Sequence, residues 1–259
     1  MKYKKILVFV TSMIFITAFI FCSFLATNIA EIKVDAETLV NSNEQVLEKA
    51  QSVLDEYQNK NLIFLNANKV KTQLEEKSSY LEVVEIKKIF PNELSVKVSE
   101  RSEVFSYFYN EEFYVLDENL KVLSKKQTNV NNIDGVKNLS VNFNIADFDE
   151  NSLKVNSTLT FYDGGIKLIL STLASKLISR RLDVSCIEVI STLSNTSYKR
   201  LVFKMREGVQ ITITDYDERL EDKITCLLDF YDELENKGDE KTEYFVIVDS
   251  QTSNIVVSK

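Results

Sequence analysis

The chain has 259 residues, 31 Lys and Arg against 39 Asp and Glu, a net charge of -8 and no histidine. Lacking imidazole, it has neither the usual general base of Ser/His or Cys/His catalysis nor the commonest metal ligand, and its acidity is the wrong sign for neutralising nucleic-acid phosphates. Five Gly and one Pro, where average usage gives about 18 and 13, argue against Gly-rich phosphate loops, and 44% apolar content is enough to bury a core.

The first five residues carry Lys2, Lys4 and Lys5, and residues 6–30 then run without a charge, rich in Ile, Phe, Leu and Val. A helix of that length is about 37 Å long at 1.5 Å per residue, enough to cross a hydrocarbon layer of about 30 Å with some tilt. The rival reading is a cleaved signal peptide, with Val34-Asp35-Ala36 as an Ala-x-Ala-like site. Its apolar region is usually about 7 to 15 residues, so the length favours an anchor. Cys22 follows Phe21 rather than a small residue, which argues against a lipoprotein acceptor. The three lysines place residues 1–5 in the cytoplasm and the bulk of the chain outside it.

Past the anchor, Ile32 and Val34 begin a first strand. Asn43 is placed to cap a helix over 44–58 that carries Val46, Leu47, Ala50, Val53, Leu54 and Tyr57 at helical spacing, and Asn66 or Asn68 to cap a second over 69–77. The period then changes to two. Residues 81–90 read as a strand with Val84, Ile86, Lys88 and Phe90 on one face, Pro91-Asn92 as a turn, and Leu94, Val96 and Val98 as the inward side of a returning strand. Residues 31–101 thus form a small strand-helix-helix-strand-strand domain.

A meander follows, with strands over 104–109, 113–116 and 120–123, then an Asn-rich polar loop over 127–134. Gly164-Gly165 introduces a helix over 166–180 whose apolar residues include Leu168, Ile169, Leu173 and Leu177. Strands over 184–190, 200–205 and 209–213 precede a helix over 220–234 with Ile224, Leu227, Leu228, Tyr231 and Leu234 on one face. Runs at 244–248 and 255–257 close the pattern. The fold class is α+β: an anchor, a small α/β domain, and residues 102–249 as a mostly antiparallel sheet with two helices, followed by a tail or last strand over 250–259.

The first hairpin, from Ser79-Tyr80-Leu81 through Phe90-Pro91-Asn92 to Ser99-Glu100-Arg101, resembles the POTRA module of the FtsQ/DivIB family of bacterial cell-division proteins. Phe113-Tyr114-Val115-Leu116-Asp117, Gly208-Val209-Gln210-Ile211, residues 220–223 and Ile247-Val248-Asp249 are similar to later family segments in the same order. Glu103, Asn119 and Asn131 depart from it, standing where the family often has Pro, Gly and Pro. The resemblance implies a non-enzymatic, cofactor-free divisome scaffold in the plasma membrane at the septum. It implies partners of the FtsL and FtsB/DivIC type and a role in regulating septal peptidoglycan synthesis. In that family a C-terminal sheet edge takes up a strand from the smaller partner. Here that edge comprises Val248, Ser250, Thr252, Ile255, Val256 and Val257, with Arg200 placed to meet an acidic partner residue. The alternative is a secreted or anchored POTRA-containing envelope protein with an export or adhesion role.

Other signals have structural readings. Glu111-Glu112, Asp147 with Asp149 and Asp215 with Asp217 are the acidic pairs a glycosidase or calcium site would need. With 39 acids in the chain, however, such pairs arise by chance. Tyr107-Phe108-Tyr109 alternates across a strand and reads as packing. Glu100-Arg101 reads as a structural pair at the domain junction. Cys186 and Cys226 are the only cysteines outside the anchor, without CxxC spacing, and read as free thiols.

Overall fold

The computed structural model describes residues 2–36, 43–128, 138–143, 147–177, 183–191, 199–216, 218–234, 243–248 and 254–258. Asn131, Ser250, Thr252, Asp217 and most of the Asn-rich loop lie outside them. The uncharged run coils into α1 (Lys2–Ala26), and its segment Phe9–Ala26 has a mean hydropathy of 2.2 with none of it buried by the protein. Among the described residues one helix, α1, is long and apolar enough to cross a membrane. It ends four residues before the apolar run does. Ile29 is fully buried in the core of the following domain, its N–H donating to the Lys60 carbonyl at 2.9 Å. The apolar run is thus shared between the span and the domain it leads into.

Contacts divide the chain into two units, Met1–Arg101 and Ser102–Lys259. In the first, β1 (Glu31–Ala36) pairs in parallel with β3 (Glu93–Glu100), which pairs antiparallel with β2 (Leu81–Ile89), giving the order β1-β3-β2. The helices α2 (Asn43–Asp55) and α3 (Ala67–Lys77) bury Ala50, Leu54, Val70 and Leu74 with Leu94, Val96 and Val98 of the sheet. Asn66 caps α3, its side chain accepting from the Lys69 N–H at 3.2 Å. The expected inward face of β2 is corrected by a bulge. Val83 pairs with Val98 but Glu85 with Lys97, so an extra residue enters at Val84. Such a bulge shifts the alternation by one. Leu81 and Val83 are buried while Val84 and Phe90 are exposed.

The second unit carries β4 (Phe105–Tyr109), β5 (Glu112–Leu116), β6 (Val122–Lys126), β7 (Leu139–Phe143), α4 (Gly164–Lys176), β8 (Val184–Ser191), β9 (Lys199–Met205), β10 (Gln210–Thr214), α5 (Leu220–Glu233), β11 (Glu243–Val248) and β12 (Ile255–Ser258). The strands form one sheet in the order β12-β11-β10-β9-β8-β7-β4-β5-β6. Pairing is antiparallel except at β10/β11, β7/β8 and β4/β7. Strand β7, absent from the sequence reading, joins the meander to the rest. Helix α4 starts at Asp163, whose Oδ1 accepts from the Gly165 N–H at 2.8 Å, and it buries Ile166, Ile169, Leu170 and Leu173 while Leu168 points outward.

Several residues that carried the family resemblance hold turns and ends of this fold. Asp117 is buried, and its Oδ1 accepts from the N–H groups of Asn119 and Lys121 at 2.9 and 2.8 Å. That turn places Leu120, not Asn119, in the left-handed region at φ 64, so β6 begins two residues later than the pattern predicts. Gly208, at φ 91, closes the β9–β10 hairpin where a side chain would be strained. Arg101 reaches back within its own unit, 3.5 Å from both Glu75 and Glu82. Glu103 opens the second unit with ion-pair and hydrogen-bond contacts to Lys126 at 2.6 Å and Asn138 at 3.2 Å.

Tyr107 and Tyr109 stack on the core side of β4, and Phe108 lies on the other face beside Phe113. The Tyr107 ring lies 4.1 Å from that of Phe143, and burial pushes its phenol up to about 12. The neutral form is favoured in the fold, so this contribution to stability is complete below about pH 10, the ordinary tyrosine value, and is lost as pH rises toward 12. Denaturation midpoints between pH 9 and 12 should therefore fall less steeply in Tyr107→Phe than in the wild type. Parallel slopes would contradict this.

Candidate docking edge

The two edges of the large sheet differ in how they are finished. On the β6 side, Val122 exchanges backbone hydrogen bonds with Ser157 and Asn156, both at 2.8 Å, and Lys121 bridges Thr158. Lys125 and Lys126 stand on the same strand, paired with Glu112 at 2.9 Å and Glu103 at 2.6 Å. Covering segments and lysines are the usual devices that stop an edge from accepting another strand. The β12 edge has neither among the described residues. Its sequence is Ile255-Val256-Val257-Ser258, and its described strand partner is β11, in the register Phe245↔Ser258, Val246↔Val257, Ile247↔Val256 and Val248↔Ile255.

The two faces of this edge differ. Ile255 and Val257 pack against the core on the side of α5, whereas Val256 alternates to the opposite face, level with Ile247. On the α5 side an open cleft of about 530 Å³ runs between helix and strand, floored by Phe230, Cys226 and Val257 and rimmed by Asp222, Asp229 and Glu233. The sequence reading missed these α5 residues. Positions 222, 226, 229, 230 and 233 form a second stripe at helical spacing, beside the apolar face that was recognised.

Among the edge residues predicted from sequence, Ile255, Val256 and Val257 lie together in β12, and Val248 occupies the adjacent backbone position in β11. Ser250 and Thr252 fall outside the described residues. Arg200 shares the face of Val256 but not its position. It pairs with Thr214 in β10, and the register Ile213↔Val246 sets Thr214 beside Ile247, which pairs with Val256. That row of three strand spacings separates Arg200 from Val256 by about 14 Å. A residue on a strand added to β12 is beyond its reach, so Arg200 can meet only a segment that crosses the sheet face away from α5.

Cys186 and Cys226 are free thiols on different elements, and burial pushes both above the ordinary thiol range. Thiols held in the protonated form are poor nucleophiles at neutral pH. Among the described residues, no three His, Cys, Asp or Glu side chains converge as metal ligands would.

Residues 27–101 match the POTRA domain of the FtsQ type. The match begins just after α1 and ends at Arg101, the last residue of the first unit. The domain that follows α1 is therefore similar to that of the FtsQ/DivIB cell-division proteins. The cell division protein DivIB of Clostridium tetani (strain Massachusetts / E88) is 29% identical to the chain over 101 residues, a match that covers 37% of this chain and 37% of that relative. The first unit beyond α1 is therefore called the POTRA domain below, and the second the β domain.

Proposed function

We propose that this chain is a membrane-anchored cell-division protein that works as a docking scaffold rather than as an enzyme. Helix α1 is its anchor, with the N-terminal lysines in the cytoplasm and the POTRA and β domains outside. The observation that carries the reading is the unguarded apolar edge at β12, in a chain whose POTRA domain is of the FtsQ type. An edge strand offers a row of unpaired backbone donors and acceptors, and a partner segment in extended form gains main-chain hydrogen bonds there while alternate side chains settle on the two faces. The partner is of the FtsL or FtsB/DivIC type, and through it the chain helps regulate the septal peptidoglycan synthase complex. The acidic rim at Asp222, Asp229 and Glu233 suits a partner strand whose α5-facing residues are basic.

A full-length fluorescent fusion tests this role in the cell. It should concentrate in a band at the division site in constricting cells. A signal spread evenly around the membrane through the whole cycle would sink the division reading and leave an export or adhesion role to be tested.

A further inference from the structure

Three segments of the first unit converge where α1 ends. Asn61 donates through Nδ2 to the Phe24 carbonyl at 2.9 Å and to Thr27 Oγ1 at 2.8 Å, which satisfies groups left open at the helix C-terminus. Three residues on, the Phe64 ring lies 5.7 Å from that of Phe24, centroid to centroid. The β2–β3 turn closes on the same place, its Asn92 carbonyl accepting from the N–H groups of Ala30 and Glu31 at 2.9 and 3.4 Å. Lys88 ties the turn to the loop by donating to the Ile63 carbonyl at 3.3 Å. The residues linking α1 to β1 are therefore bonded in place and do not form a free tether.

The side chains this end presents are apolar. Ile63 is 50% exposed, Phe64 73% and Phe90 60%, with Ile89 beside them. Clustered exposed apolar residues mark an interaction surface, whereas isolated ones need no explanation. We propose that this end of the POTRA domain is a lipid-contacting surface, with Ile63, Phe64 and Phe90 entering the interfacial layer of the bilayer beside α1. The proposal rests on the reading of α1 as a membrane span. Phe24 belongs to the apolar segment Phe9–Ala26, and α1 continues for only two more residues. A ring packed on Phe24 from outside the helix therefore sits within about one 5.4 Å turn of the end of the span. Lipid is the environment that the contact with Phe24 supplies. Lys88, whose ammonium donates to the Ile63 carbonyl, stands at the margin, where an aliphatic stem lies on apolar surface while the ammonium meets lipid phosphate. Such a surface holds the POTRA domain against the bilayer.

The test is depth-dependent quenching in the full-length protein with its native cysteines replaced by serine. Single Phe24→Cys, Phe64→Cys and Lys77→Cys proteins carry bimane, and each is reconstituted in phosphatidylcholine/phosphatidylglycerol vesicles with or without spin-labelled lipid. Lys77 closes α3, about 15 Å along the helix from Ala67, and leads into the end of β2 opposite the β2–β3 turn. The labels at 24 and 64 should lose fluorescence to a similar extent while that at 77 keeps it. A quenched label at 24 with an unquenched one at 64 would overturn the proposal and assign the patch to a protein cover. An unquenched label at 24 would overturn the membrane span itself, and the lipid surface with it.

Discussion

Replacing Lys223 with alanine should lower the stability of the β domain by about 3 kcal/mol, making it one of the most damaging single substitutions in the chain. Lys223 is buried in the first turn of α5, and its ammonium donates to the carbonyls of Thr214 and Asp215, both at 2.8 Å. It thereby fastens the helix to the end of β10. Hydrogen bonds to a charged group are worth about 1.5 to 3 kcal/mol each, and removing one side of a buried polar contact leaves the other without its partner. The alanine also leaves the space of the four-carbon stem empty. Lys223→Met separates the contributions, because it keeps most of the stem and loses only the ammonium. Its loss should be intermediate. Denaturant unfolding, followed by a probe in the β domain, reads both variants. A methionine variant as stable as wild type would show that the ammonium contributes nothing net.

Val256→Asp should reduce partner capture at least about tenfold, or about 1.4 kcal/mol, while leaving the β domain folded. Val256 is half-buried on the face away from α5, at the sheet edge, so an aspartate there remains within reach of water in the free protein. Under an added strand the same carboxylate would be desolvated against the neighbouring side chain, which is costly without a counter-charge. Arg200 is about 14 Å away by strand spacing and cannot supply one. Arg200→Ala should therefore leave strand addition unchanged, and a loss in that variant would reveal a partner segment crossing the sheet face away from α5. Unfolding midpoints of both variants, measured beside their capture, separate docking from stability.

The sequence was most legible where one period ran without interruption. Leu94, Val96 and Val98 alternate cleanly and are buried, and the apolar spacing of α2 and α5 marks the faces they bury. Interruptions were what concealed the rest. The bulge at Val84 moves the inward set of β2 by one residue, and nothing local in Val83-Val84-Glu85 announces it. Strand β7 has the alternation Leu139, Val141, Phe143, but five residues are too short to stand out, and its parallel partners β4 and β8 are distant in sequence. Residues that carried the family resemblance, such as Asp117 and Lys223, proved to be structural: one holds a turn and the other a helix-strand junction. The edge differed again. The apolar run of β12 is visible in the sequence, but that the opposite edge is covered and guarded by lysines while this one is not became visible only with the strand order. The exposed Phe64 lies in a loop and gave no periodic signal, and Phe90, counted in the alternation of β2, lies past the end of that strand in the turn that meets the loop at the end of α1.

Co-purification of the full-length protein with membrane proteins from dividing cells tests the docking edge most directly, comparing wild type, Val256→Asp and a chain ended after Asp249. Small membrane division proteins should be recovered with the wild type and lost from both variants, while unfolding curves show the β domain intact in Val256→Asp. Equal recovery of those proteins by all three chains would contradict docking at β12.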